Sequence, residues 1–307
     1  MKNKLEFATT FVESTSYCGE SAEEFVLACI LKNRLADSGV KIVPDIIKSA
    51  AVSKLSGKDM VQCGDHCTFS PSGTVTVSEV LLVPCLYYID LQLCFQELVG
   101  IWNGLNGGNL NTQDLSVDFN RALVDLLVGT MGEHVESVIW KGSTGVTSPS
   151  GCTCSVTSIE DQITTHALHS TGVTITKANV IGYVDELMAA LPACVLEDPS
   201  KLKIYMNSKT ALYYRQALAA LGIILPSDSA PMTYDGLEIV VIGAIPDNKI
   251  FAFQPENVAL GISSMDNMTT VNILNMREHN LDNSVRMSIA VKFDVKVIYE
   301  AEAAVLG

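Results

Sequence analysis

From Val285 to Tyr299 the chain alternates strictly on one side: Val285, Met287, Ile289, Val291, Phe293, Val295, Val297 and Tyr299 are apolar. Arg286, Ser288, Lys292, Asp294 and Lys296 fall between them. A period of two puts the two sets on opposite faces of a strand. At about 3.3 Å per residue that strand would reach about 50 Å, some three times the usual globular length. Such a strand predicts an elongated subunit spanning a flat plate rather than a compact enzyme.

Helical and turn signals fill the rest. Ser21 and Glu24 form a capping box ahead of Phe25, Ala28, Cys29 and Leu35, and Gly39 closes that helix. A second short helical piece is predicted after Pro44, carrying Ile46, Ile47 and Ala50. Between Met60 and Cys85, Ser-Pro-Ser-Gly at 70–73 supplies turn chemistry, and Val75 and Val77 alternate with Thr74, Thr76 and Ser78. This reads as a β-hairpin. It has little of its own to bury, and a lone two-stranded ribbon is marginal, so a partner surface is expected, a neighbouring subunit among them.

Leu86 to Trp102 is apolar and predicts a helix, and Asn103 to Asn111 a flexible break. The strongest helical period follows, with Ser116 or Asp118 as N-cap. Phe119, Ala122, Leu123, Leu126, Leu127, Val135, Val138 and Ile139 lie along its apolar face, and Gly142 stands just past the end. Residues 142–172 read as loop. Thr176 is expected to cap a helix stopped by Pro192. A strand over Lys201–Met206, a helix capped by Asn207 and ending at Gly222, and several short strands between Gly236 and Ile262 predict a mixed α/β domain.

Composition narrows the function. With 307 residues and 48% hydrophobic content the chain can bury a large core. A net charge of −14 argues against a surface built to hold phosphate backbones, which needs clustered Lys and Arg. No apolar run reaches membrane-spanning length and the N-terminus carries no extended apolar core, so a soluble, cytoplasmically made protein with no membrane partner is expected. Nine cysteines make an odd count, and without a secretory signal they read mostly as small buried hydrophobes, Cys29 for example, rather than a disulfide framework.

Catalytic patterns fail one by one. Neither phosphate-loop spacing nor a dinucleotide fingerprint is present, and Gly142-Ser143-Thr144-Gly145 lacks the positions of a nucleophile elbow. The five histidines sit mostly in polar contexts. The nearest approach to a metal cluster is Cys63, His66 and Cys67, with Cys152 and Cys154 for a second half. Zinc takes such ligands in fours, but the spacing matches no finger pattern, and free thiols in and near a hairpin are the simpler reading. No catalytic residue, cofactor or metal is expected.

The order of elements, with Glu136 to Gly142 closing a long helix, the phrase YMNSKTALYYRQAL at 205–218 and YDGLEIVVIGAIPDNKIFAFQPENVALGI at 234–262 before the long strand, resembles the major capsid proteins of tailed bacteriophages. The resemblance implies the Hong Kong 97-type α+β fold. It implies an N-terminal arm at 1–58, an extended E-loop at 59–90, a P-domain at 91–142 and 265–300, an A-domain at 143–264 and a C-terminal tail at 301–307. Thr74, Val75, Thr76, Val77 and Val80 would be inter-subunit residues of the E-loop.

The resemblance further implies hexamers and pentamers of the chain itself, tiling an icosahedral head around double-stranded DNA held without sequence-specific binding. Portal, scaffolding and decoration or head-completion proteins are the other implied partners, the virion the location, and the host cytoplasm the place of assembly. One departure concerns covalent cross-linking through an E-loop lysine: no lysine lies between Lys58 and Lys141, so a hairpin starting at 59 could not supply the amine. Two other readings stand beside the shell of a phage head: an encapsulin-like compartment, and a soluble α/β enzyme centred on 143–264.

Overall fold

The computed structural model describes residues 14–17, 35, 38–58, 60–61, 63, 72–94, 117–142, 155–169, 172–223, 232–263, 271–276 and 284–307. In chain order the strands used below are β1 (Ser14–Tyr17), β2 (Lys41–Val43), β3 (Ala50–Lys58), β4 (Thr74–Leu82) and β5 (Cys85–Cys94). Then come β6 (Ala167–Leu168), β7 (Lys203–Met206), β8 (Thr233–Tyr234), β9 (Leu237–Val241), β10 (Ile250–Phe253), β11 (Val258–Ser263), β12 (Val271–Asn275), β13 (Ser284–Val297) and β14 (Ala304–Leu306). The helices used below are α1 (Val117–Lys141), α2 (Ile159–Gln162), α3 (Val180–Ala190) and α4 (Ser208–Ala220).

The chain divides into two compact units, and two of the dividing lines fall inside its two longest elements, after Val135 in α1 and after Lys292 in β13. The first unit takes residues 1–33, 86–135 and 263–292. In it β1 pairs antiparallel with β12, β12 pairs antiparallel with β13 from Val271↔Ile289 to Asn275↔Val285, and β5 pairs with β13. Val285, Met287, Ile289 and Val291 are all buried while Arg286 is exposed. The period of two therefore does what it predicts in this half of the strand.

The second unit takes residues 34–85, 136–262 and 293–307. Its sheet runs β6-β14-β10-β7-β9-β8. The β7–α4–β9 passage is a βαβ unit, since β7 and β9 pair in parallel, and α3 and α4 bury Val180, Val184, Leu187, Ala211 and Tyr214 with the sheet residues Ile204, Met206 and Ile250. Asn207 caps α4 as expected: its side-chain oxygen accepts the Thr210 amide at 2.7 Å. Trp140, at the end of α1, packs its ring against Tyr205, Phe251 and Phe253, with centroids 5.7, 5.0 and 6.3 Å away. Gly142 ends α1 at φ +75°, its amide donating to the Val138 carbonyl at 2.8 Å, a conformation a Cβ would disfavour.

Several expectations are corrected. Residues 86–94 form a strand, not the start of a helix, because Tyr88, Asp90 and Gln92 alternate with apolar neighbours and the segment finds a partner in β13. The segment after Pro44, expected to be helical, is irregular chain leading into β3, with Asp45 at φ +61° and a bend at Ile47 and Lys48. Helix α3 begins after Asn179 rather than at Thr176, which opens a turn by accepting the Asn179 and Val180 amides. Leu126, placed on the apolar face of α1, is exposed, while Val128, Met131 and Trp140 are buried.

Residues 301–307, read as a tail, contain β14, fully buried between β6 and β10. Among the described cysteines, Cys63, Cys94 and Cys194 are exposed free thiols and Cys85 is buried and disulfide-bonded, so the reading of buried unpaired hydrophobes does not hold for them. The first predicted helix lies outside the described residues except for Leu35, which is helical and buried, and Gly39, which has φ +99°. Among the described residues no helix is long and apolar enough to cross a membrane.

Two substitutions separate the energetics of this framework. Val291 has no exposed surface, so Val291→Asp places an unpaired charge in a packed sheet face and is expected to cost several kcal/mol, on the order of 4, leaving no folded subunit. Asn207→Ala removes one cap and is expected to cost about 1 kcal/mol. Urea unfolding followed by circular dichroism measures both, and equal midpoints for the two variants would contradict the assignment of Val291 to the core.

Candidate inter-subunit surface

The hairpin predicted between Met60 and Cys85 is larger than its sequence signal and begins earlier. β3 and β4 form a separate two-stranded sheet with nine opposed pairs, from Ala50↔Leu82 to Lys58↔Thr74. Ala50 to Lys58, assigned by sequence to the arm, is therefore half of the hairpin. Lys54 and Lys58 belong to β3, so the inference that the hairpin lacks a lysine is overturned. The connection between the strands, His66 and Cys67 included, lies mostly outside the described residues, and Cys63 is an exposed free thiol. Cys152 and Cys154 also lie outside them, and no metal-ligand cluster occurs among the described residues.

Register sorts the side chains into two faces, since directly opposed residues point the same way. One face carries Ala50, Val52, Lys54 and Ser56 with Leu82, Val80, Ser78 and Thr76. At its base Val52 and Leu82 are buried with Ile46, Ala259 and Ile298, and the Lys54 ammonium lies 4.8 Å from the centre of the Tyr299 ring. Further out the face is polar. The opposite face carries Ala51, Leu55, Val75, Val77 and Leu81. There Leu55 is 64%, Val75 59%, Val77 63% and Leu81 52% exposed. A β-sheet face with four large apolar residues more than half exposed is unusual for a chain that acts alone.

The five residues singled out from sequence divide between these faces. Val75 and Val77 lie on the bare apolar face, while Thr74, Thr76 and the half-buried Val80 lie on the other. Leu55 and Leu81 were missed. Leu81 sits in the run Val80-Leu81-Leu82-Val83, which has no alternation to reveal a face, and Leu55 stands alone among Ser, Lys and Gly.

The hairpin's root is held by a residue that sequence placed on the polar side of the long strand. Asp294 is only 3% exposed. One carboxylate oxygen accepts the Val83 amide at 2.8 Å, and the other accepts the Val295 amide at 2.9 Å. Val83 follows the last residue of β4 and precedes Pro84, so its amide has left the ladder at the point where the chain turns away, and Asp294 satisfies it. Burial pushes the Asp294 carboxyl up from its ordinary 3.8; the amides of Val83 and Val295 and the charge of Lys296 oppose that shift without cancelling it. Gly261 completes the root. A Cβ there would lie 2.7 Å from Ile46 Cδ1 and 3.4 Å from two Leu82 carbons, so its absence lets the hairpin base rest on the backbone of β11.

In solved structures the same fold recurs. The chain matches the capsid of a native GTA particle at TM-score 0.59 with 14% identity, covering 91% of this chain and 89% of that one. It matches the procapsid of satellite phage P4, described as including the size determination (Sid) protein, at TM-score 0.53 and 12% identity over 90% and 97%. The holo-SrpI encapsulin complex of Synechococcus elongatus PCC 7942 matches at TM-score 0.54 and 11% identity over 89% and 86%. No family model matches the chain, and neither does any curated protein. At these identities the likeness establishes fold: the chain has the α+β fold of Hong Kong 97-type capsid proteins.

The root makes a pH prediction whose sign follows from the raised carboxyl. A folded pKa above the unfolded one means the native state binds the extra proton between 3.8 and the folded value, so this group's contribution to stability falls as pH rises through that window. Asparagine keeps an acceptor for Val83 and does not titrate. Urea midpoints measured from about pH 3 to about pH 7 should therefore shift progressively in favour of Asp294→Asn relative to the parent. A difference that moves the other way would show that the carboxylate is stabilised in the fold.

Proposed function

We propose that this chain is the major capsid protein of a tailed bacteriophage, assembling as hexamers and pentamers into an icosahedral head that encloses double-stranded DNA. The observation that carries the reading is a capsid fold whose two-stranded hairpin leaves one apolar face bare. A face of that kind marks an interaction surface, and a structural subunit repeated many times provides the cover from its own neighbours. Hydrophobic burial would then drive association.

In this reading the β3/β4 hairpin is the E-loop, now taken as starting at Ala50. Residues 86–135 and 263–292 serve as the P-domain, and the sheet of β6, β14, β10, β7, β9 and β8 as the A-domain. The role is structural. Portal, scaffolding and decoration proteins are its expected partners, the virion its location and the host cytoplasm its assembly site. DNA is held by enclosure, consistent with the net charge of −14. The match to the encapsulin complex supports one second reading, a protein compartment, which differs in contents: nucleic acid in the first case, protein cargo in the second.

Two measurements test the proposal. Purified chain examined by light scattering and negative-stain microscopy across salt, pH and concentration is expected to form capsomers or closed shells. A uniform monomer under every condition would overturn the proposal. Replacing residues 53–79 by a short Gly-Ser linker keeps Val52, Leu82 and Val83 at the root, and is expected to leave the circular dichroism of a folded subunit while abolishing shells. If that variant is instead unfolded, the hairpin belongs to the intramolecular core.

A further inference from the structure

We propose that Glu79 on the hairpin's bare face pairs with Arg286 on the first unit of a neighbouring copy, and that this pair sets the register in which the hairpin docks. The inference rests on the shell reading above and adds to it the residues that align the contact.

Glu79 lies opposite Ser53, on the same face as Leu55, Val77 and Leu81. It is the single charge among the paired residues of that face, it is exposed, and it has no ion-pair partner among the described residues. A carboxylate flanked along its strand by Val77 and Leu81 penalises any partner surface that is apolar throughout, because it would be stripped of water without compensation. The covering surface must therefore offer a cation amid apolar groups.

The first unit presents such a surface. A groove of about 410 Å³ opens over β5, β12 and β13, where Leu91 and Leu274 lie beside Arg286. Arg286 is opposed to Leu274 in the ladder, it is exposed, and among the described residues it too has no ion-pair partner. Strip and groove each carry an exposed charge with no ion-pair partner among the described residues, Glu79 on the one and Arg286 in the other, and the groove holds Asp90 besides.

The groove also holds a feature that selects against slippage. Two residues along β13 from Arg286, Ser288 donates its hydroxyl to the Asp90 carboxylate at 2.5 Å. A hairpin displaced by one side-chain repeat, about 7 Å, would bring Glu79 toward Asp90 and set two carboxylates against each other. Attraction at Arg286 and repulsion at Asp90 together fix one register, which is what charges at an interface do better than add affinity. In a shell the contact is heterologous, strip of one copy to groove of the next, and passes from copy to copy.

A charge-swap cycle tests the pair, read as the critical concentration for shell assembly by light scattering with circular dichroism as the folding control. Glu79→Arg and Arg286→Glu are both exposed changes and are each expected to raise that concentration at least about tenfold with unchanged dichroism. Combining the two is expected to restore it to within about threefold of the parent. Glu79→Gln should give an intermediate loss that high salt does not deepen. Single variants that assemble like the parent, or a double variant no better than the worse single, would overturn the pairing while leaving the shell reading intact. Failure of the parent chain itself to assemble would instead overturn the shell reading, and the pairing with it.

Discussion

Everything distinctive about this chain depends on a hairpin that cannot bury both of its faces. Two strands have only two faces, and here one is committed at its base to the second unit through Val52 and Leu82 while the other carries Leu55, Val75, Val77 and Leu81 into solvent. Backbone pairing alone is marginal for an isolated ribbon. The root must therefore be fixed firmly, and the residues that fix it are unusual in kind: a buried carboxylate on the long strand, a glycine that lets two side chains rest on bare backbone, and a lysine laid over a tyrosine ring.

That division explains which parts of the fold were readable from sequence. Where a segment is covered on one side by its own chain, the pattern of apolar positions reports it, as with Val285 to Val291 in β13, Asn207 capping α4 and Gly142 closing α1. Where a strand is buried on both sides, alternation vanishes, so β14 passed for a tail although Ala304, Val305 and Leu306 are buried. β5 was read as helix because its apolar content dominated a weak period of two. β3 went unseen for a different reason. Small and polar residues fill it, and only its nine-residue pairing with β4 gives it a strand's identity.

The candidate surface was legible in half. Val75 and Val77 stood out by alternating with threonine, but register with β3 was needed to see that Leu55 and Leu81 share their face and Thr74, Thr76 and Val80 do not. Asp294 was invisible in principle. It occupies a polar slot in a regular period, and only the position of the Val83 amide makes that slot an interior one. The aromatic group of Trp140, Tyr205, Phe251 and Phe253 was likewise scattered over more than a hundred positions and assembled by topology alone.

The bond between Val83 and Asp294 spans 211 positions of sequence. The strands β3 and β4, by contrast, are close enough in the chain to find each other early. Contacts of such different range form at different times, local pairing in microseconds and distant pairing only after slow loop closure. Until β13 is seated, the root lacks the Val83–Asp294 bond that helps fix the hairpin's aim. Only a chain that has seated its long strand can present the strip at a defined angle. Any change that keeps β13 from seating therefore reaches the strip as well, although no residue of the strip has been altered.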